Sequence, residues 1–184
     1  MAEKRAIMVM AKGLSLASSH EAVQKFVKKA AILDKAAQEG LEDKAKALGA
    51  VSVAVQDLGA SLEKDAFVCV QGGEEALAAA QEAANRRTVL VVAADDGVAF
   101  AGLGINSKAG HIGRVVSADD VVLTIATLVD LPISADCTAA IIYQVFKDPN
   151  LKLNERIKLQ EALSRMESVL ERNNREPWDK HDCA

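Results

Sequence analysis

The sequence predicts an α/β protein built on a doubly wound, mostly parallel sheet flanked by helices, with a long helix at its C-terminal end. Three observations carry that prediction. Short, unbroken apolar runs such as AIMVM (residues 6–10) and TVLVVAA (88–94) are what strands show when both sheet faces are covered. Amphipathic helical patterns separate these runs, and strand–helix–strand repetition favours parallel pairing. The chain has 184 residues, half of them apolar, which suits a single core that buries roughly 70% of the unfolded surface.

Each element has a local reason. After the first run, Ser18 or Ser19 is placed to cap a helix whose stripe is Val23, Phe26, Val27, Ala30, Leu33 and Ala37, with Gly40 as its stop. A second helical piece covers 41–48. VSVAV (51–55) and AFVCV (66–70) are rich in β-branched residues and predict strands. EEALAAAQEAANRR opens after Gly72-Gly73 and predicts a helix before the fourth expected strand at 88–94. The stretch from Gly97 to Gly113 is glycine-rich and is expected as a loop. Ser117, with Asp119 and Asp120 in the turn that follows, predicts a helix start, and VVLTIATLV is its apolar body until Asp130-Leu131-Pro132 stops it. Residues 137–146 are expected as a further helix ended by Asp148-Pro149-Asn150. The final helix, 151–174, carries Leu159, Leu163, Met166 and Leu170 at three- and four-residue spacing. The natural division is an α/β domain over 1–150 and a C-terminal helix and tail over 151–184.

Composition narrows the function classes. The net charge is −4 and only 3% of residues are aromatic, so neither a concentrated positive face nor a stacking platform is expected, and nucleic acid is excluded as a partner. No apolar stretch approaches the roughly 20 residues of a membrane helix, and the apolar run in MAEKRAIMVMAKG is too short for a signal-peptide core. Cys69, Cys137 and Cys183 are scattered and odd in number, as expected of reduced thiols in a cytoplasmic protein. Cys69 lies in an apolar strand and is expected as a core thiol. The 151–174 helix offers either packing on the domain or a contact with a protein partner, including a second copy of the chain.

The chemistry-bearing residues converge on one stretch. Asp95-Asp96-Gly97 follows the strand at 88–94, and ligands of open α/β sheets bind outside the carboxyl ends of strands. Carboxylates there suit a divalent cation such as zinc, manganese or magnesium, and His111 could add a nitrogen ligand. The plain alternative is that Asp95 caps the turn and Asp96 is solvated. Gly72-Gly73 and Gly102-Leu103-Gly104 match no phosphate or dinucleotide fingerprint and read as turns. His20 reads as a surface residue. In the tail, Trp178, His181, Asp182 and Cys183 cluster, with docking by Trp178 favoured over a metal clasp.

The run from the helix before TVLVVAADDG, through GHIG, to VVSADDVVLTIATLVDLPISADCTAAIIYQVF resembles the C-terminal half of the alkaline phosphatase superfamily. That resemblance covers residues 66–146. It implies an alkaline-phosphatase-like fold, a metal-ligand position at Asp95, a departure at Asp96 where the family has histidine, and a metal-binding role near His111. Lys12 and Gly13 stand where the family's first metal-binding aspartate is expected, and Gln71-Gly72-Gly73 where further ligands are expected. Ser15, Ser18 and Ser19 are available as nucleophiles without a visible metal site to activate them. The strand expected between GHIG and the following helix has no clear counterpart. The resemblance therefore implies a reduced, non-hydrolytic relative acting by binding or assembly. The alternative is a metal-dependent phosphatase, phosphodiesterase or phosphomutase using Asp95, Asp96 and His111.

Overall fold

The computed structural model describes residues 4–173, and contacts divide the chain into two compact units, 1–148 and 149–184. The first unit holds seven strands and five helices. They are β1 (Arg5–Ala11), α1 (Glu21–Val27), β2 (Ala31–Ala36), α2 (Leu41–Ala47), β3 (Val51–Val53), α3 (Leu58–Lys64), β4 (Phe67–Gln71), α4 (Glu74–Ala83), β5 (Thr88–Ala94), β6 (Gly97–Gly102), β7 (Gly110–Val116) and α5 (Ala118–Val129). The strands form one sheet in the order β3-β4-β1-β5-β6-β2-β7. β6 is antiparallel to both of its neighbours, and every other pairing is parallel. Six strands therefore point their carboxyl ends to one edge, and β6 alone runs back.

Alternation along the central strands builds two cores. Ala6, Met8 and Met10 of β1 face one layer, which α2 and α5 cover through Leu41, Ala45, Val121, Val122 and Ile125. Ile7, Val9 and Ala11 face the other, covered by α1, α3 and α4 through Val23, Phe26, Leu58, Leu62, Ala76, Leu77 and Ala80. With both faces buried, β5 is buried at all seven positions, which is why it reads as a continuous apolar run. Helices on both faces of a mostly parallel sheet are the doubly wound arrangement expected from the sequence.

Three expected elements differ. The helix expected from Ser18 or Ser19 to Gly40 is a seven-residue helix, α1, followed by a strand, β2. Residues 30–33 are all buried, and a central strand wants that continuous run more than a helix wants the same residues as one stripe. Its cap is His20, whose ring nitrogen accepts weakly from the Ala22 N–H (3.4 Å); Ser18 Oγ accepts from the His20 N–H. The expected loop from Gly97 to Gly113 contains β6 and the first half of β7, so GHIG (110–113) opens a strand that runs on to Val116. β6 is bracketed by glycines for a steric reason. At Gly102 φ is +93° and a Cβ would lie 2.3 Å from the Thr88 carbonyl oxygen.

The third difference is 137–146, expected as a helix but irregular apart from a 3-10 turn at Tyr143–Val145. Two of its amides find acceptors on α5. Ala140 N–H donates to Asp120 Oδ1 (2.7 Å) and Ile142 N–H to Thr124 Oγ1 (3.0 Å), while Arg114 donates to the Ile141 carbonyl and Gln144. Ile142, Val145 and Phe146 are buried, so the segment acts as a strap on the core.

The start of α5 follows expectation. Ser117 Oγ accepts from the Asp120 N–H and the Asp120 carboxylate accepts from the Ser117 N–H, a reciprocal capping box. In the second unit, α6 (Leu151–Asn173) forms the long helix expected there. The Trp178, His181, Asp182 and Cys183 cluster lies outside the described residues.

Candidate functional site at the carboxyl edge of the sheet

The chain leaves β1 toward the face covered by α1 and leaves β2 toward the face covered by α2. The β5–β6 hairpin lies between these two strands, so its turn, Asp95-Asp96, sits where the connections diverge. In open α/β sheets that divergence opens the crevice in which ligands bind. Here the crevice is filled by the chain's own groups. The Gln38 side-chain amide donates to the carbonyl oxygens of Ala94 and Gly97, closing the hairpin from the α2 side.

From the α1 side, residues 13–16 are tied to the acidic turn. Gly13 N–H is shared between the two Asp95 carboxylate oxygens (3.1 Å each), and Asp95 N–H donates to the Leu14 carbonyl (2.9 Å). Ser15 Oγ donates to Asp96 Oδ2 (2.5 Å), and Leu16 N–H donates to Asp96 Oδ1 (2.8 Å). These bonds carry Leu14 and Leu16 into the core at 5% and 7% exposure. Burial pushes the Asp96 carboxyl up, but the Leu16 N–H and the Ser15 hydroxyl outweigh it and hold the group below the usual carboxylate range. The two carboxylates at the lip of a buried strand thus staple the β1–α1 loop onto the sheet.

His111 is placed elsewhere by β7. Its Nδ1 lies 2.8 Å from Asp34 Oδ1, and both side chains are solvent-accessible. Asp34 is next to the hairpin, because a Cβ on Gly97 would meet the Asp34 Cα at 3.5 Å. Asp34 is not legible as a site residue in the sequence because the stretch around it also satisfies a helical stripe. The unbroken apolar run at 30–33 was the signal that could have exposed it. Among the described residues, no three His, Cys, Asp or Glu side chains gather as a group able to hold a metal ion. Asp95 and Asp96 are brought together with Ser15, and His111 with Asp34. Ser18 Oγ accepts from the His20 N–H (3.2 Å).

No protein-family model matches this chain, and no curated protein matches it at a significant level.

Other polar groups on α2, beside this edge, form pairs. Glu42 accepts from Gln71 (2.7 Å) and pairs with Lys46 (2.8 Å). The Lys46 hydrogen bond, with smaller help from Gln71 and Lys12, holds Glu42 below its ordinary range against some desolvation. Lys44 pairs with Asp119 at the mouth of a cavity of about 300 Å³ between α2 and α5, floored by Leu48, Val122 and Leu123. Cys69 is buried in β4, and burial pushes its thiol up to about 11, as expected of a core cysteine.

Proposed function

We propose that this chain is a reduced, non-hydrolytic relative of the alkaline phosphatase superfamily that acts by binding or assembly. The observation that carries the non-hydrolytic part is the use of Asp95 and Asp96. Each spends its oxygens on amides or a hydroxyl of the 13–16 loop, in the place where a phosphoryl-transfer centre would need them to hold cations. Lys12 and Gly13, at the end of β1, add no ligand on that side. The superfamily reading itself rests on the resemblance over residues 66–146.

Assembly is supported by α6, on which Leu159, Leu163, Met166 and Leu170 are 57–66% exposed at three- and four-residue spacing. Charges from residue 151 onward are balanced at seven basic and seven acidic, so no net repulsion opposes pairing of two such helices.

Metal analysis of the purified protein together with a phosphomonoester and phosphodiester assay tests the first part. The expected result is no stoichiometric metal and no turnover. Stoichiometric zinc or manganese with turnover abolished by Asp95→Ala would overturn this reading in favour of a metal-dependent hydrolase that uses Asp95. For assembly, light scattering on the full chain is expected to show an oligomer that Leu163→Glu/Leu170→Glu dissociates. A monomer in both removes that part.

A further inference from the structure

At the opposite edge, where the parallel strands begin, four cations converge without acids. A hollow of about 770 Å³ is lined by Lys29, Arg86, Lys108 and Lys147 together with Asn85 and residues 102–107. It shares Lys29, Asn85 and Gly102 with a smaller slot of about 210 Å³ that adds Lys25 and is floored by Phe26, Leu90 and Ala101. No carboxylate lines either space. Among the described residues none of these five cations takes part in an ion pair. On a chain of net charge −4, that local excess needs a cause.

Ordinary structural roles cover only part of it. Lys25 lies in the last turn of α1, where a cation complements the helix dipole. Lys108 and Lys147 are on connecting segments outside the α-helices, Lys147 two residues after the short 3-10 turn at Tyr143–Val145. Their positions are fixed by backbone bonds: Lys147 N–H donates to the Gly104 carbonyl (2.8 Å), Asn106 N–H to the Val145 carbonyl (2.8 Å), and Lys108 N–H to Asn106 Oδ1 (3.1 Å). The strap that crosses α5 thus delivers Lys147 to the same hollow as the 103–108 loop. Asn85 holds the other wall, its side chain accepting from the Arg87 N–H (2.8 Å) and its carbonyl from the Thr88 N–H (3.1 Å). Like charges gathered in this way repel one another, and an anion relieves that repulsion.

We propose that this joined hollow and slot binds a small phosphorylated molecule, its phosphate groups among Lys29, Arg86, Lys108 and Lys147 and its apolar portion over Phe26, Leu90 and Ala101. Lysines act as point charges and arginine as a bidentate fork, and both suit phosphate oxygens. The hollow is within the size range of small-molecule sites, and an apolar floor beside a few convergent polar groups is their usual composition. The site is separate from the acidic turn and does not depend on the superfamily reading, so failure of one leaves the other standing.

Calorimetric titration of the full chain with inorganic phosphate, inorganic pyrophosphate and n-octyl phosphate tests it, at low and at physiological ionic strength. Pyrophosphate and octyl phosphate are each expected to saturate and to bind at least about tenfold tighter than inorganic phosphate, with affinity falling as salt rises. Lys29→Ala/Arg86→Ala/Lys147→Ala is expected to lower both affinities by about tenfold or more, since three exposed charge contacts each contribute modestly. A control of equal charge change, Lys12→Ala/Lys35→Ala/Lys46→Ala, is expected to stay within about twofold. All substituted side chains are at the surface, and circular dichroism checks that both variants fold. Absence of saturable binding at low ionic strength overturns the proposal, as does an equal loss in the control. Octyl phosphate binding no tighter than inorganic phosphate overturns the role of the slot.

Discussion

Replacing Asp96 with alanine removes two hydrogen bonds from an ionised acceptor, to Ser15 Oγ at 2.5 Å and to Leu16 N at 2.8 Å. Bonds to charged groups are worth about 1.5–3 kcal/mol each, but this carboxylate is at the surface, where water replaces part of what is lost. The expected cost is about 2 kcal/mol, which for a chain of this size lowers the melting temperature by roughly 4–8 °C. Asp95→Ala serves as the internal comparison. Asp95 shares one amide between two oxygens at 3.1 Å, so its loss is expected to cost about 0.5–1 kcal/mol. The pH dependence carries the same sign. Because the folded-state pKa of Asp96 is depressed, its contribution is present above the ordinary carboxylate pKa and is lost as pH falls through the lower folded-state value. Urea denaturation at neutral pH and in stepwise more acid buffers should therefore show the wild type losing more stability than Asp96→Ala as acid is added. Equal stability of wild type and Asp96→Ala at neutral pH, or a larger loss in Asp95→Ala, would refute the staple.

Three further outcomes follow from single contacts. Thr124→Val keeps the side-chain shape but leaves the Ile142 N–H without its buried acceptor, and denaturant midpoints should show a loss of about 1–3 kcal/mol. Gly102→Ala, which combines φ +93° with a 2.3 Å approach to the Thr88 carbonyl, should cost more than about 2 kcal/mol in the same assay. With its thiol pushed up to about 11 and buried, Cys69 should resist iodoacetamide in the native protein at mildly alkaline pH while exposed Cys137 reacts, as peptide mapping by mass spectrometry would show.

The readable parts of the sequence were those whose signals are local. β5 announces itself because every residue is apolar, α4 because alanine and glutamate fill a helical period, and α5 because Ser117 and Asp120 form a cap that needs no distant partner. β2 was hidden because Phe26, Val27, Ala30 and Leu33 also satisfy a helical stripe; the neighbouring strands, unseen in one dimension, decide between the two periods. β6 was hidden by Gly97 and Gly102, which serve close backbone approach and not loop flexibility, and β7 by Gly110 and Gly113, which interrupt its apolar pattern. The 137–146 segment departs from its helical pattern because the Ala140 and Ile142 amides are satisfied by Asp120 and Thr124, side chains contributed by another element.

The site followed the same division. The position of Asp95-Asp96 at a strand's carboxyl end was legible, whereas the partners that occupy them, Gly13, Ser15 and Leu16, lie about 80 residues away and were not. The basic hollow draws on positions 29, 86, 108 and 147, which no linear motif connects.

The central claim, that the acidic turn is a structural staple and not a metal centre, is tested most directly by melting the wild type and Asp95→Ala/Asp96→Ala with and without excess zinc, manganese or magnesium. A ligand that binds only the folded state must raise its melting temperature. The account predicts an unshifted wild type, and a double variant that melts several degrees lower whatever metal is present. A metal-dependent rise of several degrees in the wild type that vanishes in the double variant would contradict it.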